Sequence, residues 1–368
     1  MRTTLDVREL GRATLARQYL LEPTDTPVEK VVRHLYGLQA QSPTAPYFAL
    51  WARVAGFRPE QLSGLIEDRA VVRMVSMRGT VHALTAADAL ELRPWTQPIM
   101  DRDLRTNSQH SKALAGFDRE ALESWSRALL EETPSTLAAL RPQLAQRWPD
   151  RDPAALAHAV RDVLPLVQVP PRGLWGRSGQ PVCTTLEHWT GSVLAEPDPE
   201  RIVLRYLASY GPASVADAQA WSGLTRLGEV FDRLRARLRM FGGPDGVELF
   251  DLPDAPRPGG DVPAPVRILA PFDSLLLSHA NRSRVFDDAY RRVLFTVNGI
   301  VKPTLLVDGS VAGHVALGAK KGEAVADMTL LHALSPQARS DAEAEAVRLL
   351  RFTYPAADGL EVRVTAAR

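Results

Sequence analysis

The sequence predicts an α+β chain: three tandem winged-helix motifs followed by a small β-barrel-like C-terminal domain with one helix. Three observations predict it. Apolar residues at helical spacing, followed by two short β-rich runs, occur three times in the first 250 residues. A Pro- and Gly-rich stretch, 253–265, then interrupts the pattern as a linker would. Beyond it, short β-rich runs replace the helical periodicity, broken by one helical segment. The expected units are 1–115, 116–197 and 198–252, then the linker and 266–368.

In the first unit, helices are expected over about 7–20, 27–38 and 44–54, with another short one after them. The second has Val28, Val31, Leu35 and Leu38 on one face, Asp25 or Thr26 as its cap and Pro27 at its first position. Its expected end is Gln39-Ala40-Gln41-Ser42-Pro43, because a residue before proline is turned away from helical geometry. Val71–Val75 and Thr80–Leu84 are the two β runs, turned by Ser76-Met77-Arg78-Gly79. Helices followed by a two-stranded ribbon form a winged helix, a relative of the helix-turn-helix.

Leu122, Trp125 and Leu129 mark the first helix of the second unit, Leu137 to Trp148 the next, and Leu156, Val160 and Leu164 the third. The runs 166–169 and 181–185 flank a turn holding Arg172 to Gly179. In the third unit, Ile202 to Tyr210 is helical and Ser214 caps a short helix to Trp221. Leu227 to Leu238 is a long third helix, and Asp245-Gly246 marks a hairpin. The C-terminal strands are expected at 266–269, 293–297, 304–307, 311–317 and 323–330. A helix over 338–352 and a last strand over 360–364 follow, and Asp308-Gly309 closes a hairpin.

Lys+Arg number 44 against 43 Asp+Glu, so contact with nucleic acid has to come from local patches. The single cysteine, Cys183, excludes an internal disulfide and a cysteine-based metal site. The N-terminal residues lack the apolar run of a signal peptide, and no stretch approaches the ~18 apolar residues of a membrane span. A cytoplasmic, nucleoid-associated monomer with no membrane contact is expected. The histidines show no metal-ligand spacing, and neither a P-loop nor a dinucleotide fingerprint is present, so no metal and no cofactor are expected. The lysines, Lys30, Lys112, Lys302, Lys320 and Lys321, do not suggest a Schiff-base amine, so no lyase activity is expected.

His34-Leu35-Tyr36-Gly37-Leu38-Gln39-Ala40-Gln41-Ser42-Pro43, with Arg78-Gly79-Thr80-Val81-His82, resembles the bacterial winged-helix DNA glycosylases of the AlkZ and YcaQ type. Pro170 to Gly176, and Asn298-Gly299-Ile300-Val301 running to Gly313, carry the resemblance across nearly the whole chain. It implies that Gln39 and Gln41 are the catalytic Gln-x-Gln motif, Gln41 holding the water and Gln39 orienting it or touching the sugar. Having Gln41 where the YcaQ branch has aspartate points to the self-resistance branch. The resemblance also implies an open concave cleft lined by the three winged helices and a hairpin within 298–314 that probes duplex DNA.

The residues themselves offer further DNA contacts. Arg172, Trp175 and Arg177 join guanidinium groups to a stacking surface on a Gly-rich loop. Arg282 and Arg284 follow His279 in the densest basic stretch of the C-terminal part, and the resemblance adds Arg78, His82, Asn298 and His314 to the set. Arg226 to Arg239 make the third helix of the third unit basic, although Glu229–Arg233 can equally be an intrahelical ion pair on a solvated face.

An amide can orient water but cannot take its proton at neutral pH. Gln-Ala-Gln therefore suits a leaving base that already carries positive charge, a purine alkylated at N7. The expected substrate is double-stranded DNA containing alkylated purines, bulky natural-product adducts or interstrand crosslinks among them. The alternative function is a winged-helix transcription regulator without enzymatic activity. Three reading heads in one chain favour a monomer that clasps DNA, whereas a regulator carries one head and dimerises. A third possibility is a protein that sequesters the toxin itself.

Overall fold

The computed structural model describes residues 3–296 and 299–366. The first unit runs α1 (Val7–Arg17), α2 (Val28–His34), β1 (Leu38–Gln39), α3 (Ala45–Trp51), α4 (Pro59–Glu67), β2 (Val71–Val75), β3 (Val81–Thr85) and the long α5 (Ala86–Thr106). The second is α6 (Arg119–Glu132), β4 (Ser135–Thr136), α7 (Leu137–Arg147), α8 (Pro153–Val163), β5 (Leu166–Gln168), β6 (Val182–Thr185) and α9 (Leu186–Thr190). The third is α10 (Pro199–Tyr210), α11 (Val215–Ser222), α12 (Gly228–Leu234) and the hairpin β7 (Arg239–Gly242)–β8 (Glu248–Asp251). Side chains of Asp6, Asp118, Asp152, Asp198 and Ser214 cap α1, α6, α8, α10 and α11, each contributing about 1 kcal/mol.

The ribbons of the first two units do not stay separate. They join into one six-stranded sheet, in the order β1-β3-β2-β5-β6-β4, with β2 pairing β5 at Arg73–Gln168 and Met74–Val167. The third unit packs on the first: Tyr206, Tyr210, Trp221 and Phe231 share one buried cluster with Tyr36, Met74 and Leu84.

Residues 253–265 contain no regular element. The C-terminal sheet then combines β9 (Arg267–Leu269), β10 (Thr304–Val307), β11 (Ser310–Lys320), β12 (Glu323–Leu330) and β13 (Gly359–Ala366) in the order β13-β12-β11-β10-β9. This sheet is open, with β9 and β13 as its edges, and not closed into a barrel. Only β12–β13 is parallel, and α14 (Pro336–Thr353) makes the crossover, packing Ala342, Ala346, Leu349 and Leu350 on the sheet.

Three elements differ from expectation. The helix expected over 27–38 ends at His34, because Tyr36 and Gly37 take positive φ (55° and 99°). A Cβ on Gly37 would lie 2.5 Å from Leu84 Cδ2, so only glycine admits this turn against β3. The third helix of the third unit stops at Leu234 and tightens into a 3-10 turn over Arg235–Arg237. The strand expected at 293–297 is instead the end of a short helix, α13 (Arg291–Leu294), with Val297 outside the described residues. In addition, α2 begins behind Pro27 without a side-chain cap from Asp25 or Thr26.

Candidate active site

The two glutamines leave a strand, not a helix end. β1 pairs antiparallel with β3 in the register Leu38↔Ala83 and Gln39↔His82. Leu38 and Ala40 are buried in the core with Val31, Leu50 and Val71. Strand alternation then turns Gln39 and Gln41 to the opposite face. Residues directly opposite in a sheet share a face, so Gln39 and His82 are neighbours.

Arg78 joins them from the β2–β3 turn, where it adopts the left-handed conformation (φ 56°). Its Nη2 donates to Gln39 Oε1 at 2.6 Å and lies 3.3 Å from His82 Nε2, while Nη1 donates to the Trp221 carbonyl at the end of α11. Among the described residues no carboxylate stands within ion-pair distance of this guanidinium, and burial lowers its pKa to about 10. His82 Nδ1 lies 2.9 Å from the Thr80 carbonyl, which requires a proton on Nδ1 and leaves Nε2 as an acceptor toward Arg78. Burial and the adjacent Arg78 charge push the His82 pKa down to about 3, so the ring is neutral at physiological pH. The Arg78 donor also fixes the Gln39 amide, since only its oxygen can face an N–H.

Gln39 is 7% exposed, whereas Gln41 is exposed and lines a cleft of about 320 Å³. Gln41 Oε1 is 3.4 Å from the Val81 N–H, which sets this amide also with its oxygen inward. The cleft lies between the first two units. Val75, Gly79 and Val81 form one wall; Leu137, Arg161, Gln168 and Gln180 contribute to the other. The polar groups of its lining are amides, a threonine, a thiol and one guanidinium, with no carboxylate and no lysine among the described residues. The expected lining by all three winged helices is not what is found: the third holds Arg78 from behind.

The remaining predicted residues separate into surface and interior. Arg177 is exposed; Arg172 is half-buried, donating from Nη1 to the Gly179 carbonyl at 2.8 Å. Trp175 packs against Tyr47, Phe48 and Phe352 and borders a second, apolar cleft beside the C-terminal sheet. Arg284 is buried, donating to the Pro212 carbonyl at 2.8 Å, and His279 is buried against the Tyr210 carbonyl. Arg282 stacks over Phe295 at 5.1 Å, and His314 lies 3.3 Å from Lys302 Nζ. Asn298 lies outside the described residues. Within the expected probing segment 298–314, the Asp308-Gly309 turn is held down by Arg8 and Arg12 of α1. The basic residues after Arg226 meet acids of other elements: Arg233 pairs with Glu200 and Arg235 with Glu248.

Two features escaped the sequence reading. Arg73, a charge inside an apolar strand, is 2% exposed and donates to the Ala40 carbonyl between the two glutamines. Asp103, His158 and Asp162 form a polar group, with His158 and Asp162 at i,i+4 spacing, so one histidine does have a carboxylate partner at ligand spacing, contrary to expectation. His158 Nε2 lies 2.7 Å from Asp103 Oδ2, and Arg161 bonds both carboxylates at 3.0 and 3.2 Å. Burial raises the Asp162 pKa to about 7. With Arg161 already on its oxygens, the group acts as a network holding that guanidinium at the cleft wall.

Fused winged-helix ribbons beside a carboxylate-free amide–guanidinium–imidazole cluster define a tandem winged-helix protein with a polar cleft. The family model "DNA glycosylase AlkZ-like" matches residues 32–352, and the chain belongs to that family of DNA glycosylases, acting in DNA repair. The solved structure of Streptomyces sahachiroi DNA glycosylase AlkZ is similar over 99% of this chain and 100% of that one, with a TM-score of 0.81 and 19% identity. No curated protein sequence matches the chain.

Proposed function

We propose that this DNA glycosylase hydrolyses the N-glycosidic bond of N7-alkylated, cationic purines, bulky natural-product adducts and crosslinks included, and leaves an abasic site. The observation that carries the reading is the cleft at Gln41, whose polar lining of amides, a threonine, a thiol and a guanidinium offers no carboxylate base among the described residues. Breaking the C1′–N bond builds oxocarbenium character on the sugar. A neutral base needs an acid to leave, or a carboxylate to activate the water. A base alkylated at N7 loses its charge on leaving, so a water held at C1′ is sufficient.

Gln41 is the residue for that water. With Oε1 toward Val81 its Nε2 donor points outward, and its remaining oxygen lone pair can accept from the water. Gln39, locked by Arg78, orients the strand that carries Gln41. The same reading takes release to be hydrolytic, without a lyase step. The protein would act as a monomer, in repair and self-resistance.

The test is release of N7-methylguanine from a duplex oligonucleotide, alkali converting each abasic site to a strand break. Wild type should release the base, and Gln41→Ala should bind the duplex but release none. Gln41 is exposed, so that change should move stability by no more than about 0.5 kcal/mol. Gln39→Ala should also stop release and cost about 1–3 kcal/mol, because it strips a buried acceptor from Arg78. Release by Gln41→Ala at the wild-type rate would remove Gln41 from the water. No release by wild type, from this duplex or from one carrying a bulky N7 adduct, would return the regulator reading.

A further inference from the structure

We propose that Arg73 is a positioning residue for base release: it draws the Ala40 carbonyl out of the β1–β3 ladder and so leaves the Val81 N–H to the Gln41 side chain. The proposal rests on the reading that Gln41 holds the attacking water.

In a regular antiparallel ladder, a hydrogen-bonded pair exchanges both N–H···O bonds. Ala40 and Val81 make only half of that exchange. The Ala40 N–H donates to the Val81 carbonyl at 2.7 Å. The reciprocal bond is replaced twice over: the Ala40 carbonyl accepts from Arg73 Nη2 at 2.9 Å, and the Val81 N–H faces Gln41 Oε1 at 3.4 Å. The same peptide separates Gln39 from Gln41. Arg73 therefore decides where the strand stops pairing and which way the second amide is held.

The arginine is an expensive way to satisfy one carbonyl. It stands between Val72 and Met74 in the middle of β2, where an aliphatic side chain would serve the core. Its Nε and Nη1 are buried without an acceptor, and no carboxylate lies within ion-pair distance among the described residues. The charge acting on it from nearby is Arg172, of like sign. An uncompensated buried charge costs stability, and replacing it with an apolar residue is often neutral or favourable. The loop above has been shaped to admit it. A Cβ on Gly173, which has φ +97°, would lie 2.5 Å from Arg73 Cδ and 2.7 Å from Nη1. Tyr47 Oη donates to the Gly173 carbonyl at 2.8 Å and fixes the cover.

The experiment compares Arg73→Met and Arg73→Lys in the full chain, using single-turnover release from the N7-methylguanine duplex. Displacing a reacting group by about 1 Å can cost about 100-fold, so Arg73→Met should lose rate on that order while duplex affinity stays within about twofold. Its melting temperature should hold or rise. Arg73 uses one of its donors, so lysine can supply the bond and should recover most of the rate. Wild-type rate in Arg73→Met overturns the proposal; so does lost rate with a lower melting temperature and no rescue by lysine.

Hydrogen exchange at the Val81 amide reads the geometry without substrate. In Arg73→Met that N–H should return to the Ala40 carbonyl and exchange more slowly. Unchanged exchange overturns the proposal. A wild type that releases no base while Val81 responds as stated overturns the reading of Gln41, and with it the catalytic purpose, but not the ladder exchange.

Discussion

His82 performs its task by staying neutral. A protonated ring would place a second cation 3.3 Å from Arg78 inside the protein, and would replace the Nε2 lone pair with a donor facing a donor. Folding therefore holds the pKa near 3 against an ordinary 6.5. The sign follows from linkage. The folded state resists the proton, so the contribution is fully present above pH 6.5 and is lost as pH falls from 6.5 toward 3. His279, buried beside Arg284, acts in the same direction, while Asp162, raised to about 7, acts against it. A variant difference isolates His82: His82→Gln should flatten the acid limb of the stability curve by up to about 1.4 kcal/mol per pH unit below 6.5. Urea unfolding of both proteins at pH 7.5, 6 and 5 measures it. Parallel curves would mean that His82 takes its proton freely in the fold.

At the level of elements, the site hangs on two turns that are not helical. Leu35 and Leu38 continue the apolar spacing of α2, so periodicity alone carries the helix to Leu38 and gives Gln39 and Gln41 a helix end. Gly37 is the competing signal, since a glycine after a helix ordinarily ends it. Reading it so would have started β1 at Leu38 and shown the glutamines alternating on one face. The β2–β3 ribbon is legible because Val71, Val72 and Val75 in one run and Val81 and Thr85 in the other are β-branched and flank a glycine turn. Its fusion with β5 is not: no local pattern encodes which strand edge meets another unit.

The second turn is at Gly223, which caps α11 with φ +83°. Its missing Cβ leaves room for the Arg78 backbone, since a Cβ would lie 2.9 Å from Arg78 Cα and 3.1 Å from its nitrogen. The third unit thus positions the Gln39 partner by shape as well as through the Trp221 carbonyl. Gly223→Ala should cost about 1–2 kcal/mol from the left-handed backbone alone and should slow base release by displacing Arg78. Gly228→Ala, where a Cβ meets nothing within 4 Å, is the control and should do neither. Release at the wild-type rate by a destabilised Gly223→Ala would separate the third unit from the site.

Across the whole molecule, the arginines show why sequence alone does not separate surface cations from interior ones. Arg12, Arg53 and Arg73 are among the largest fully buried side chains, and Arg17 and Arg284 are buried with them. A near-neutral charge total conceals that part of the positive charge is spent inside. Much of it closes the chain on its own N-terminal helix. Arg17 makes a bidentate pair with Asp251 at 2.7 and 2.8 Å, at the end of the third unit, and Arg53 does the same with Asp273 of the C-terminal domain at 2.9 and 2.8 Å. Leu10 packs with Phe241 and Leu249, and Leu15 enters the C-terminal core beside Leu269 and Leu306. α1 therefore binds the third unit and the C-terminal sheet together across the linker. Removing one partner of a buried pair strands the other charge, so Asp251→Asn should cost about 3–5 kcal/mol in urea unfolding. Replacing both partners, Arg17→Met with Asp251→Leu, should cost less than the single change: Arg257, the second arginine on Asp251, keeps the Leu252 and Pro253 carbonyls as acceptors, and no fully buried charge is left unmatched. Base release by the folded fraction should be unchanged in both, since neither residue lines the Gln41 cleft. A single variant within about 1 kcal/mol of wild type would show that α1 is held by its apolar face alone.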